Sequence, residues 1–70
     1  MPRLVDVNRA SIAELATLPG VGRVRARALV LYRVRHGRFR RLADLAAIDG
    51  FGSTTLAELA PHLAPLDRRE

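Results

Sequence analysis

The stretch ELATLPGVG, residues 14–22, decides the fold because it returns thirty residues later as DLAAIDGFG, residues 44–52. Seven of the nine aligned positions pair identical or similar residues, without a gap. A period near thirty, which is long enough for two helices and a turn, indicates a repeated supersecondary unit. The sequence therefore predicts one small domain that contains two copies of a helical hairpin.

Helix signals surround both copies of the repeat. Ser11 and Glu14 have the spacing of a capping box, in which each side chain bonds to the backbone N–H of the other residue. Gly37 stands where a left-handed C-cap is expected, and Pro61 is expected to end the last helix. No strand signal is present, so the predicted class is all-α. The predicted helices cover residues 12–18, 22–36, 42–48 and 53–60.

The apolar pattern predicts how these helices pack. Phe39 is expected to fill the core where the two copies are connected, and Gly52 or Ser53 is expected to cap the last helix. The second helix has a broad apolar pattern, so we expect it to be contacted on several sides; its apolar residues are Val24, Ala26, Leu29, Val30 and Val34. We predict a domain over 5–64, with motifs at about 11–36 and 41–61 and flexible termini at 1–4 and 65–70.

Composition narrows the classes of function. The 70 residues allow one domain, and the absence of cysteine excludes disulfides, thiolate zinc sites, iron–sulfur clusters and a cysteine nucleophile. All 12 basic residues are arginine, and the net charge is +5. Eight arginines and no acidic residue lie between Leu15 and Ala43, which indicates a strong local positive field. The plain alternative is a solvated arginine-rich surface.

Two Gly-x-Gly turns carry the main functional signal, Gly20-Val21-Gly22 and Gly50-Phe51-Gly52. Glycine allows close approach of a ligand to the backbone, and the apolar middle residue is expected to anchor the turn inward. The first N–H groups of the next helix lack internal partners, and together with the helix dipole they suit a phosphate oxygen. One such turn could be purely structural, but two copies beside an arginine cluster favour phosphate binding. The predicted phosphate-binding residues are Gly20, Val21, Gly22, Arg23, Arg25, Arg27, Gly50, Gly52, Ser53 and Thr54.

Over roughly residues 5–64 the chain resembles the tandem helix-hairpin-helix domain of the competence protein ComEA family. The similar segments are NRASIAEL (8–15), LPGVG (18–22), the linker from Tyr32 to Phe39, and IDGFG (48–52). The resemblance implies a four-helix (HhH)2 domain that binds double-stranded DNA without reading its sequence, in that family during DNA uptake. Other DNA-uptake proteins are then further candidate partners.

The sequence departs from the family pattern at three places. Arg41 stands where the family usually has a capping serine or threonine, and Asp49 adds a negative charge beside the second hairpin. Ser53 and its two threonine neighbours stand where lysines are frequent in the family. We therefore expect the first hairpin to bind phosphate more strongly than the second.

The sequence does not favour an enzyme. His36 and His62 have no cysteine or nearby carboxylate at metal-ligand spacing, so we expect no metal and no other cofactor. The chain has no lysine that could form a Schiff base, and no arrangement of side chains supports a nucleophile. We expect no catalytic residue and no small-molecule substrate.

Membrane and targeting signals are also missing from the sequence. No apolar run approaches the length that spans a bilayer, and no signal-peptide pattern is present. We expect a soluble chain that makes no membrane contact itself, whereas ComEA family members are membrane-anchored and face outside the cytoplasm.

Two other functions stay open. The chain could be a helical protein–protein interaction module whose arginines meet an acidic partner, or a DNA-binding accessory domain of a DNA repair protein. Weak salt dependence, or no binding to random-sequence duplex, would favour the interaction module over a DNA-binding domain.

Overall fold

The computed structural model describes residues 3–66. These residues form three α-helices and two 3₁₀ helices and no strand, which confirms the predicted all-α class. Residues 1, 2 and 67–70 of the predicted flexible termini lie outside the described residues. The elements in chain order are α1 (Ile12–Ala16), α2 (Gly22–His36), a first 3₁₀ helix (Leu42–Ala47), α3 (Ser53–Leu59) and a second 3₁₀ helix (Ala60–His62).

Helix α1 begins with the predicted capping box and ends earlier than predicted. Glu14 N donates to Ser11 Oγ at 3.1 Å, and Ser11 N donates to Glu14 Oε1 at 2.9 Å. After Ala16, Thr17 N bonds to Glu14 O, and Leu18 N bonds to Leu15 O. These bonds span three residues instead of four, so the chain tightens before Pro19. The prediction of a helix as far as residue 18 was therefore wrong.

Helix α2 has the predicted bounds and, in part, the predicted surroundings. Ala26 and Leu29 are buried, whereas Val24 and Val34 are 84% and 74% exposed. Ala28, Val30 and Tyr32 also pack against the core, so contacts cover much of the circumference of the helix as expected, but Val24 and Val34 lie outside the contacted part. Gly37 follows α2 with a positive φ of 90°, but its ψ of −172° lies outside the left-handed helical region that a left-handed C-cap requires.

The second half of the chain uses 3₁₀ turns where α-helix was predicted. Residues 42–47 form a 3₁₀ helix, and its start is held by Asp44, whose carboxylate accepts from the N–H groups of Arg40 and Arg41. Helix α3 ends at Leu59, and the chain continues through Pro61 as the second 3₁₀ helix. Pro61 is tolerated in this first turn because no helical acceptor needs its missing N–H.

The core repeats with the same period as the sequence. Phe39 is completely buried at the connection, as predicted, and stacks on Tyr32 with ring centroids 4.8 Å apart. Residues thirty positions apart fill equivalent places in the two motifs, so the duplication governs packing as well as local structure. The buried equivalent pairs are Leu15 with Leu45, Leu18 with Ile48, Val21 with Phe51, and Leu29 with Leu59.

Side-chain hydrogen bonds attach the segment before α1 to the rest of the protein. Asn8 Nδ2 donates to Phe39 O at 2.9 Å, and Phe39 N donates to Asn8 Oδ1 at 2.6 Å. The guanidinium of Arg33 donates to Val7 O and Ala10 O at 2.9 and 2.8 Å. These four bonds satisfy backbone groups across long sequence separations, so they fix the N-terminal segment against α2 and the connection.

A single parallel β-bridge brings the two ends of the described chain together. Val5 N donates to His62 O at 2.9 Å, and Ala64 N donates to Val5 O at 2.8 Å. Leu63, which faces Val5 in this bridge, is buried in the core. The bridge therefore closes the second motif onto the segment that precedes the first.

Candidate nucleic-acid interface

The two hairpins have the same backbone hydrogen bonds. Val21 N donates to Leu18 O at 3.2 Å, and thirty residues later Phe51 N donates to Ile48 O at 3.1 Å. Both middle residues are buried, Val21 at 4% and Phe51 at 2% exposure, which confirms that they anchor the turns inward. The glycines on either side of each anchor are exposed. Each hairpin therefore presents backbone to the surface.

Each hairpin also packs against the second helix of the other motif. A Cβ placed on Gly20 would lie 3.3 Å from Cγ2 of Thr55 in α3. A Cβ placed on Gly50 would lie 3.0 Å from Cδ and 3.2 Å from Cζ of Arg25 in α2, and closer still to its Nε. Because Arg25 and Thr55 are thirty positions apart, the two contacts are equivalent. This reciprocity gives the motifs an approximate two-fold relationship.

Arg25 touches both hairpins. Its Nη1 donates to Gly20 O at 2.8 Å, while the rest of its side chain lies over Gly50. A guanidinium carries five N–H donors, so the bond to Gly20 leaves others for an anion. Arg25 was predicted only as a phosphate ligand, and the structure shows that it also joins the two turns.

The hairpins differ in how the next helix begins. Gly22 has φ +66° and is the first residue of α2, whereas Gly52 precedes α3 as its N-cap with an ordinary φ of −77°. Helix α2 has 15 residues and α3 has seven. Because free N–H groups and the helix dipole act within the first turn, the two hairpins present different backbone geometry to an anion.

Charged groups near the hairpins are unevenly distributed. Arg23 and Arg27 are exposed in the first two turns of α2, on the side of the first hairpin. Asp49 is exposed in the second hairpin and lines its shallow concavity of about 280 Å³, whose other lining residues are uncharged. Glu58 Oε1 lies 3.8 Å from the place a Gly20 Cβ would occupy, so the first hairpin also has a carboxylate beside it.

The structure brings the predicted residues of both copies to adjoining hairpins. Ser53 and Thr54 are exposed immediately after Gly52. Thr55 was not predicted as a contact of the first hairpin. The signal that could have identified it is its position thirty residues after Arg25. No sequence signal indicated Glu58, because its position beside Gly20 depends on how the motifs pack.

Residues 3–66 contain neither a metal centre nor a membrane span. No group of three or more His, Asp or Glu side chains there could hold a metal ion. None of the helices in this range is long and apolar enough to cross a bilayer.

Two glycine-containing hairpins, each between two helices and each packed on the other motif, define a duplicated helix-hairpin-helix module. The chain belongs to the family described as Helix-hairpin-helix motif, whose model matches residues 3–64. The match includes both hairpins and all five helices, so the whole module belongs to the family.

Known relatives share this module within longer proteins. The chain is 44% identical over 55 residues to the human Endonuclease/exonuclease/phosphatase family domain-containing protein 1, and the match covers 79% of this chain and 10% of that protein. It is 34% identical over 56 residues to ComE operon protein 1 of Bacillus subtilis (strain 168), covering 80% of this chain and 27% of that protein. The chain therefore spans a tenth to about a quarter of the length of these relatives.

Proposed function

We propose that the chain binds double-stranded DNA through backbone phosphates, without reading sequence, as the DNA-receptor part of a competence-like protein. The observation that carries this proposal is the reciprocal packing of the two hairpins, with Arg25 touching both. That packing holds two backbone turns side by side in a fixed relationship. The similarity to ComE operon protein 1 supports the competence-like role.

The chemistry of the hairpins suits phosphate rather than bases. Backbone N–H groups at the start of α2 and the guanidinium of Arg23 recognise an anionic oxygen, and phosphates are the same in every sequence. Two turns related by approximate two-fold symmetry match the two backbones that flank a minor groove. We expect Gly20, Val21 and Gly22 to present the first site, with Gly50, Gly52, Ser53 and Thr54 presenting a weaker second one.

In this proposal the chain is a binding module and not an enzyme. It has no lysine for covalent catalysis and uses no cofactor. DNA is its main partner, and other DNA-uptake proteins are further partners. The chain itself makes no membrane contact.

Salt dependence tests the proposal directly. Each neutralised phosphate contributes about −0.9 to the slope of log K against log salt, so roughly four to six contacts give a slope of about −4 to −5. Two duplexes of unrelated sequence are titrated by fluorescence anisotropy at several salt concentrations. We expect equal affinities and this slope for both duplexes. A flat salt response, or about a tenfold preference for one duplex, would overturn sequence-independent phosphate binding.

Strandedness provides a second test of the same site. A single strand of equal length lacks the two fixed backbones, and the chain has few aromatic side chains on which bases could stack, with one Tyr and two Phe. Phe39 and Phe51 are buried, and Tyr32 packs on Phe39. At matched salt the duplex should therefore bind more tightly. Equal or tighter binding of the single strand would contradict the paired-hairpin geometry.

A second candidate role uses the same DNA-binding chemistry in a DNA repair protein. The chain is 44% identical to Endonuclease/exonuclease/phosphatase family domain-containing protein 1 of mouse, rat, human and cattle. The nuclease family in the name of these relatives agrees with an accessory domain beside a nucleic-acid enzyme. Deletion of the gene separates the two roles. Loss of transformability supports DNA uptake, whereas normal transformability with raised sensitivity to DNA damage supports repair.

A further inference from the structure

A line of apolar side chains runs along the side of α2 that faces away from the core. Val24, Leu31 and Val34 are 84%, 48% and 74% exposed, whereas Ala26 and Leu29 of the same helix are buried. Val24 and Leu31 are two turns apart and therefore lie on the same side, and Val34 follows one turn after Leu31. Isolated exposed apolar residues are ordinary, but three on one helix form a patch. We call this patch the α2 outer face.

Arg27 lies among the apolar residues of the α2 outer face and Arg35 lies at its edge, and α2 has no acidic residue. Arg27 lies one turn from both Val24 and Leu31, and Arg35 lies one turn after Leu31. Both arginines are exposed. Helix α2 contains no Asp or Glu that could neutralise them. A complementary surface must therefore combine apolar side chains with negative charge.

We propose that the α2 outer face docks an acidic, amphipathic helical segment of another protein. Apolar residues of such a segment, spaced three, four and seven apart, would cover Val24, Leu31 and Val34. Its Asp or Glu side chains would lie beside Arg27 and Arg35. This inference goes beyond DNA binding. Arg27 is shared with the predicted phosphate-binding residues, whereas Leu31, Val34 and Arg35 lie towards the C-terminal end of α2, away from the hairpins.

Three other occupants fit the surface less well. A second copy packed antiparallel, with Val24 on Val34 of its partner, would bring Arg23 against the partner's Arg35, and like charges repel. Duplex DNA would place phosphates against aliphatic side chains. An anionic bilayer favours helices that carry aromatic anchors on their apolar face, and this face has none.

Affinity selection from a randomised peptide library tests which kind of peptide the α2 outer face binds. A phage library of helical peptides of about 16 residues, randomised along one face, is selected on the immobilised protein. Counter-selection uses the triple variant Val24→Ser/Leu31→Ser/Val34→Ser. A control variant, Ala46→Ser/Ala57→Ser, alters exposed alanines outside α2. Since all five side chains are exposed, both variants should keep the helical circular-dichroism spectrum of the unaltered protein.

The proposal expects enriched peptides with acidic residues flanking apolar ones. They should bind the triple variant at least about tenfold more weakly than the unaltered protein, and the control variant equally well. Basic or neutral peptides, equal affinity for the triple variant, or no enrichment would overturn it. The proposal would also be overturned if the unaltered protein self-associated or bound phosphatidylglycerol vesicles, or if the triple variant lost about tenfold of its affinity for duplex DNA. Each of these results would assign the α2 outer face to another occupant. Duplex binding by the unaltered protein is measured separately, so failure of this proposal is distinguishable from failure of the proposed function.

Discussion

The side chain of Arg25 lies across the backbone of Gly50 so closely that a Cβ on residue 50 would require the end of this side chain to shift. The same side chain donates to Gly20 O at 2.8 Å, so one residue of α2 contacts both hairpins. The separation of the two turns therefore depends on a contact between residues that are distant in sequence. Replacing either residue should change this separation as well as stability.

Gly50→Ala should destabilise the protein more than Gly22→Ala. Both glycines have positive φ, 96° and 66°, so an added Cβ costs about 1–2 kcal/mol of backbone strain at either position. Only at Gly50 must the new Cβ also displace Arg25, which would lose its bond to Gly20 at a further cost of about 1 kcal/mol. Gly22 has open space around it and serves as the matched control. Urea unfolding at neutral pH measures both costs.

A double variant isolates the contribution of Arg25 to this difference. In an Arg25→Ala background the three atoms nearest to the Cβ at residue 50 are removed, so the cost of Gly50→Ala should fall towards that of Gly22→Ala. If Gly50→Ala lowers the free energy of unfolding equally in both backgrounds, the contact between Arg25 and Gly50 is not the reason why residue 50 disfavours a Cβ.

The first hairpin should contribute more to DNA binding than the second. Arg23→Ala removes a charge beside the free N–H groups of α2 and should weaken duplex binding by about 1 kcal/mol or more. Thr54→Ala removes a neutral hydroxyl and should cost less. Asp49→Asn and Glu58→Gln each remove a carboxylate near a hairpin, so both should tighten binding slightly, and less so at high salt.

Anisotropy titrations of these four variants give the comparison, and thermal melts verify that each is folded. If Thr54→Ala weakens binding more than Arg23→Ala in folded protein, the second hairpin is the main site and the predicted inequality is reversed.

Asn8→Ala should lower stability without altering the hairpins. The change removes both hydrogen bonds to Phe39 and leaves backbone groups of a buried residue without partners, at a cost of about 2 kcal/mol. For a domain of this size the melting temperature should then fall by about 8–16 °C. Arg9→Ala, which alters an exposed neighbour, should change it little. Equal melting temperatures for both variants would show that the Asn8 bonds contribute nothing.

Acid should weaken the start of the first 3₁₀ helix. The backbone N–H of Arg40, with smaller effects of the Arg41 N–H and of both arginine charges, lowers the pKa of Asp44 below its ordinary value of 3.8. A carboxyl whose pKa is lower in the folded protein stabilises it above the unfolded pKa, and this stabilisation disappears as the pH falls through the folded pKa. Asp44→Asn should therefore lower the melting temperature at pH 7.

The difference between the unaltered protein and Asp44→Asn should narrow as the pH falls below 3.8. Scanning calorimetry from neutral to acidic pH gives this comparison. A difference that stays constant down to the lowest pH would mean that the charge of Asp44 does not support the turn.

The repeat, the capping box and the buried anchors could be predicted because each depends on neighbours close in sequence. Ser11 and Glu14 lie three residues apart, and Val21 lies between the glycines of its own turn. The exposure of Val24 could not be predicted in this way, because the side of α2 that is covered depends on where the second motif packs. The contact between Arg25 and Gly50 has the same long-range origin.

In the candidate site, too, the features that depend on sequence neighbours could be predicted and those that depend on long-range packing could not. The ten predicted phosphate-binding residues are close in sequence to the glycines, and the structure places the two hairpins beside each other, whereas Arg27 lies in the second turn of α2. Their binding role stays a prediction. Glu58 was missed because it is distant from Gly20 in sequence and approaches it only when α3 packs on the first hairpin.

The bridge between Val5 and Leu63 gives this small fold a single point of entry and exit. Because the bridge is parallel, the chain enters and leaves it in the same direction, and the residues before Val5 and after Leu63 run away from it in opposite directions. The fold is therefore suited to a position in line between two other parts of a longer polypeptide.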